Sequence, residues 1–153
     1  MKVIVAAVGR PRDTALAAAI DTYERRAARY WPLEVRPVRS ESAASASPDL
    51  VRQREAERLA AKLGDARLIV CDERGAGLSS AAFSAFLQRS REGAEDVAFV
   101  VGGPFGVADA LRERAARVLA LAPFTLSHEL ARLVLAEQLY RAGTIVRGEP
   151  YHK

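Results

Sequence analysis

Apolar residues along the chain follow two rhythms, short unbroken runs and longer helical repeats, and the two alternate. Met1–Val8 carries the run Val3-Ile4-Val5-Ala6-Ala7-Val8, closed by Gly9-Arg10-Pro11. An apolar run of this length, bounded by turn residues, reads as a buried strand. Thr14–Tyr30 follows with helical character. Leu33–Val38 reads as a second strand, and Pro37, which has no N–H to give a ladder, assigns it to a sheet edge. Arg39–Pro48 is rich in Ser and Ala and reads as a mobile loop. Leu50–Leu63 is charged and helical, closed by Gly64. Ala66–Cys71 is a third strand. Ser79–Arg91 is helical, with Phe83, Phe86 and Leu87 on one face. Val97–Val101 is a fourth strand, Val107–Arg114 a short helix and Arg117–Leu121 a fifth strand. Ala122–Ser127 is a loop, and His128–Ile145 is the last helix. Strands alternating with helices predict an α/β fold, a mostly parallel sheet with helices on both faces. No repeat or linker interrupts the pattern, and 153 residues favour one domain with a single core, residues 1–153.

The last helix is apolar around most of its circumference. Leu130, Leu133 and Val134 lie on one face, and Ala131, Leu135 and Leu139 on a neighbouring one. Such a helix wants burial on two sides. In so small a chain the second side is expected to be another copy, since soluble oligomers are mostly symmetric homo-oligomers. The alternative is a central core helix in a monomer.

Composition refines this picture. Half the residues are hydrophobic, but thirty of them are Ala, which shrinks the large-side-chain core and favours helices. The net charge is +4, and twenty of the 23 basic residues are Arg. That excess permits a polyanionic partner without requiring one. A lone cysteine, Cys71, excludes an internal disulfide or zinc cluster and suits a reducing, cytoplasmic setting. The first apolar run is too short for a secretory signal or a membrane span. No metal-ligand spacing is present.

Three segments are candidates for chemistry. Gly102-Gly103-Pro104-Phe105-Gly106 follows a strand and precedes a helix. Glycines there let backbone approach a ligand at the carboxyl edge of the sheet, or simply make a tight turn. The spacing matches neither the dinucleotide fingerprint nor a P-loop. Leu121-Ala122-Pro123-Phe124-Thr125-Leu126 could offer backbone groups and apolar walls to a purine, or be an ordinary connection with Thr125 or Ser127 capping the helix. In Cys71-Asp72-Glu73-Arg74-Gly75, the cysteine reads as a small buried hydrophobe rather than a nucleophile, and Asp72 as a ribose ligand or a loop start. His128 at a helix start reads as a neutral packed group. The ending Tyr151-His152-Lys153 could stack on a base and touch phosphate, although composition alone favours a frayed tail.

In order along the chain, Met1–Gly9, Val101–Gly106, Leu121–Leu126, Ser127–Arg132, Ala136–Ala142 and Pro150–Lys153 closely resemble the large-subunit ribosomal RNA methyltransferases of the minimal SPOUT type. The resemblance spans the whole chain. It implies a SPOUT α/β knot, in which the C-terminal segment threads through a loop to form a pocket for S-adenosylmethionine. It also implies a homodimer with its active site at the protomer boundary, methylating N3 of a pseudouridine in 23S rRNA within the assembled ribosome. Carried over by position, the cofactor contacts are Cys71, Gly102, Leu121, Ala122, Pro123, Phe124, Thr125 and Leu126. Cys71 stands where relatives often carry Leu, and Arg39–Pro48 lacks the Lys and Gly frequent there. The imide N3 must lose its proton before attack. His152 is the candidate base, with Tyr151 and Lys153 as RNA contacts. Arg132 and Arg141 could serve phosphate, or form helix salt bridges such as Glu137–Arg141. Competing readings are a SPOUT enzyme acting on transfer RNA, a non-catalytic RNA-binding relative, and a small dehydrogenase, the last opposed by the missing fingerprint.

Overall fold

The structure, a computed structural model, describes every residue except Ser45, which lies in the expected loop 39–48. Five strands form one sheet: β1 (Val3–Val8), β2 (Leu33–Val38), β3 (Arg67–Gly77), β4 (Val97–Val101) and β5 (Arg117–Ala120). Their order is β2-β1-β4-β3-β5, and every pairing is parallel. β2 is an edge, as Pro37 requires.

The helices are α1 (Thr14–Ala27), α2 (Pro48–Ala60), α3 (Ser80–Glu92), α4 (Asp109–Arg114) and α5 (His128–Val146). Side chains alternate across a pleated strand, and the core divides accordingly. Val3, Val5, Phe99 and Ile69 point to one face, where Trp31, Phe83, Leu87, Leu135 and Leu139 cover them. Ile4, Ala6, Val100 and Val70 point to the other, under Leu59 and Leu111. Burying each large apolar side chain is worth about 1.5–3 kcal/mol. The sheet is therefore held from both sides, by α1, α3 and α5 on one and α2 and α4 on the other.

The ends of elements differ from expectation for local reasons. α1 stops at Ala27 rather than Tyr30, because residues 28–30 close into tight turns before Pro32. α2 begins two residues early, since Ser47 accepts from the Leu50 N–H and Pro48 fits the first turn. It ends at Ala60, three residues short of Leu63. α4 starts at Asp109, leaving Val107 free to pack into the core. The largest difference is β3, expected to end at Cys71. It continues to Gly77 through a bulge in which Leu119 is partner to both Cys71 and Ala76. Gly75 makes the bulge possible: a Cβ there would stand 2.5 Å from the Val118 carbonyl group.

α5 packs on α1 and α3. The buried Trp31 donates its indole N–H to the Leu139 carbonyl at 2.8 Å. Leu135 and Leu139 are buried, whereas Leu130 is 40% exposed and Leu133 and Val134 are only partly covered. The chain then turns at Gly148, whose φ of 66° suits glycine, and folds back on the helix. Tyr151 rests on Tyr140 at 4.6 Å between ring centres and donates to Glu137 Oε1 at 3.0 Å. The tail that composition would leave frayed is thus tied down as far as Tyr151.

Candidate functional site

The carboxyl ends of β3, β4 and β5 and the start of α5 enclose a cleft of about 510 Å³. This is the edge of a parallel sheet where ligands bind, and the volume suits a small molecule. Three loops converge on it: 71–74 from β3, 101–107 from β4 and 121–128 leading into α5.

Each loop is shaped by its own residues. After β4, Gly106 adopts a φ of 81° and its N–H donates to the Gly103 carbonyl at 2.9 Å, closing a tight turn. Gly102 has no room for a side chain, since a Cβ would meet the Gly106 carbonyl and the Val107 side chain at 2.8 Å. In the first loop, the Asp72 carboxylate accepts from Arg112 at 2.8 Å and from the Arg74 backbone N–H at 2.9 Å. The Thr125 hydroxyl donates to Glu73, tying the third loop to the first. Ser127 caps α5, accepting from the Leu130 N–H at 3.4 Å. Burial, aided by the Asp72 carboxylate, pushes the Cys71 thiol up to about 12, so it is neutral at physiological pH and forms an apolar wall.

Of the expected cofactor contacts, Cys71, Gly102, Leu121, Ala122, Phe124, Thr125 and Leu126 line this cleft; Pro123 is exposed and does not. Asp72 lines it too, with Glu73, Arg74, Gly103 and His128. The remaining candidates sit elsewhere. Arg132 is mostly covered and bound to Glu24 at 2.9 Å, which is the structural alternative to a phosphate contact. Arg141 binds Glu137, stacks 4.7 Å from the Tyr151 ring centre and approaches His152 Nδ1 at 3.3 Å. His152 and Lys153 are exposed. Burial and hydrogen bonds with Tyr23 and Glu137 push the Tyr151 hydroxyl pKa well up, so it stays protonated as a donor. Arg141 stands thirteen positions along α5 from His128, about 20 Å of helix rise. The cleft and His152 therefore lie at opposite ends of α5 within one chain.

The family described as "Predicted SPOUT methyltransferase" matches residues 1–152. The chain belongs to the SPOUT methyltransferases. Within the family it is 57% identical to a protein named Ribosomal RNA large subunit methyltransferase H from Gemmatimonas aurantiaca, over 100% of both chains. It is 50% identical to one of the same name from an Anaeromyxobacter species, again over 100% of both. Among solved structures, that of tRNA (m1G37) methyltransferase from Aquifex aeolicus superposes with a TM-score of 0.55 at 14% identity, covering 92% of this chain and 70% of that one. At that identity the likeness is one of fold. The SPOUT fold accounts for the convergence of the three loops, the region where the resemblance puts the knot.

Proposed function

We propose that the chain is an S-adenosylmethionine-dependent methyltransferase acting on N3 of a pseudouridine in 23S rRNA, as a homodimer and on the assembled ribosome. Residues 1–153 would work as one SPOUT domain in the cytoplasm, where ribosomes are. The observation that carries the reading is the full-length 57% identity to a ribosomal RNA large subunit methyltransferase, in a chain that builds a cleft from the very loops carrying the family motifs.

The cleft fits the cofactor. Gly102 leaves backbone bare at the β4 edge, and loop 121–126 offers backbone donors and acceptors beside the apolar walls of Cys71, Leu121 and Leu126. Asp72 and Glu73 bring carboxylates to the wall, Asp72 paired with Arg112, and Glu73 is the acidic group there that a cationic ligand could approach. S-adenosylmethionine, when bound, supplies a methyl group on a positively charged sulfur. The protein must hold the target nitrogen in line with that methyl and remove its proton. Among the described residues that line the cleft, the one histidine is His128. His152 is our base, contributed across a dimer interface by the partner subunit.

Geometry supports that division of labour. An isologous interface places a surface patch against itself. If the exposed strip Leu130, Leu133 and Val134 pairs antiparallel with its copy, the two-fold axis falls near Val134. His128 of one chain then faces the partner's helix near residue 140, beside Arg141 and the tail. The partner's Tyr151, His152 and Lys153 would thereby meet the cleft rim, with Arg141 and Lys153 available to RNA. Arg132, already held by Glu24, is assigned to phosphate only if that pair opens.

The test is transfer of labelled methyl groups to ribosomes from a strain lacking the gene, with mapping of the labelled base. Label at N3 of one pseudouridine is expected. Label on transfer RNA alone would overturn the substrate, and equal rates on naked rRNA would overturn recognition of the assembled particle. Cofactor binding without any transfer would indicate a binding protein.

A further inference from the structure

The wall that β3 gives to the cleft is not held by the sheet. β3 keeps register with β4 and β5 as far as Cys71 and rejoins β5 at Ala76, so Asp72, Glu73, Arg74 and Gly75 pair with neither neighbouring strand. Asp72, Glu73 and Arg74 nevertheless line the cleft. Side chains hold them there. Arg112 stands on α4 beside Leu111, which is buried and seats that short helix in the core. The Arg112 side chain is only 13% exposed. Its Nη1 donates both to Asp72 Oδ2 at 2.8 Å and to the Val107 carbonyl, at the end of the glycine loop. Its Nη2 donates to Asp109 within α4. The other Asp72 oxygen accepts the Arg74 backbone N–H at 2.9 Å, and Glu73 accepts from the Thr125 hydroxyl.

A covered ion pair is a poor source of stability. Both charges lose water to form it, and an apolar pair of similar size often serves the fold as well. What the guanidinium adds is geometry: a rigid plane with five donors in fixed directions, which neither an ammonium nor an alkyl chain offers. Here those directions lead to the bulged wall at Asp72 and to the glycine loop at Val107. The Glu73–Thr125 bond carries the tie on to the third loop.

We infer that Arg112 is a positioning residue for the cofactor cleft: it fastens the bulged wall 72–74 to the end of the glycine loop, and Asp72 is its anchor in that wall rather than a ligand to the cofactor. The inference rests on the cleft being the S-adenosylmethionine site. Coupling of this kind is reciprocal: a cofactor touching both loops would also hold the clamp closed.

The experiment measures S-adenosylhomocysteine binding by calorimetry and thermal melting for wild type, Arg112→Met, Asp72→Leu, the double variant Arg112→Met/Asp72→Leu, and Arg112→Lys. Each single apolar variant strands a covered charge and should melt lower than wild type. The double variant removes both charges and should melt close to wild type, yet bind about tenfold more weakly, no worse than the weaker single variant. Arg112→Lys, which keeps the charge without the fork, should bind between wild type and Arg112→Met. Binding by the double variant within about twofold of wild type overturns the inference. Fully additive losses overturn it as well, since Asp72 would then act on the cofactor independently of Arg112. So does wild-type affinity in Arg112→Lys, which would leave charge alone as the cause. A fall in melting temperature alongside affinity in the double variant makes the pair merely structural, which also overturns it. Should the apolar variants not fold, hydrogen exchange decides: Arg112→Lys must speed amide exchange in at least one of the segments 72–76 and 102–108, and unchanged exchange in both refutes the clamp. If wild type itself fails to bind S-adenosylhomocysteine, the cofactor reading falls, and the exchange measurement still judges the clamp on its own.

Discussion

Gly102 is the residue on which the cleft most directly depends. Adding one methyl group would drive it into the Gly106 carbonyl and Val107 at 2.8 Å, and backbone cannot step aside as a flexible side-chain end can. Gly102→Ala is expected to cost about 1–3 kcal/mol of stability and to abolish measurable cofactor binding in a protein that still folds. Unchanged affinity by calorimetry would remove the glycine loop from the site. Cys71 is the opposite case. With its thiol pushed up to about 12, alkylation by iodoacetamide should be slow at pH 8 and accelerate only toward strongly alkaline pH. Cys71→Leu should keep methyl transfer. Fast labelling at pH 8, or loss of transfer in that variant, would restore the nucleophile reading. That Gly102 and Cys71 line the cleft was legible only in part: the glycine run after a strand pointed to a turn or a ligand edge, and the resemblance, not the cysteine's position, put Cys71 with it. The burial of Glu55 was not legible, because its charge among the Arg and Glu of α2 looks like any solvated helix face. Its burial depends on the glycine loop arriving from fifty residues downstream.

At the scale of elements, α5 and what it packs against decide stability. Gly143 makes room on α5 for Tyr30, in the turns after α1; a Cβ there would overlap the Tyr30 ring. Gly143→Ala should lower stability by about 1–3 kcal/mol, read as a lower melting temperature, because Tyr30 must leave its place. Tyr30 also holds the tail, donating to Glu149, and that bond with burial raises its hydroxyl from 10.0 to about 12. The sign follows from linkage. Between these two values the unfolded chain has released the proton and the folded one has kept it, so stability present below pH 10 is lost as pH rises toward 12. The denaturation midpoint should fall over that window, and Tyr30→Phe should flatten the fall. An unchanged slope would deny the Tyr30–Glu149 bond its role. The alternation of strands and helices was legible throughout, since buried strands and amphipathic helices carry different periods. The extension of β3 past Cys71 was not, because Asp72-Glu73-Arg74-Gly75 has loop composition and is bulged out, the strand resuming only where Ala76 and Gly77 pair with β5.

At the scale of the molecule, the cleft and His152 lie at opposite ends of α5, and the proposed composite site between two copies would reconcile them. Sedimentation should give twice the chain mass. Leu130→Glu on the exposed strip should yield monomers that have lost methyl transfer. The sharper test mixes two inactive proteins, Gly102→Ala and His152→Ala. Mixed dimers would carry one intact site, so activity should return to about a quarter of wild type after random exchange, half the dimers being mixed and each having one good site of two. Absence of recovery, with exchange shown by mass, would place His152 outside the partner's site.

By itself the sequence determined the class of fold, the edge position of β2, the loops that line the cleft and the family. All of these follow from local periodicity and from motifs short enough to be read along the chain. Tertiary structure alone decided which of those residues meet. It put Cys71, Gly102, Leu121, Ala122 and 124–126 around one cleft, left Pro123 out of it, gave Arg132 to Glu24, folded Tyr151 onto α5 and buried Glu55 against Gly103. Parallel strands pair only through long crossovers, so contacts at the sheet's carboxyl edge join residues tens of positions apart. No pattern within a single segment carries that information.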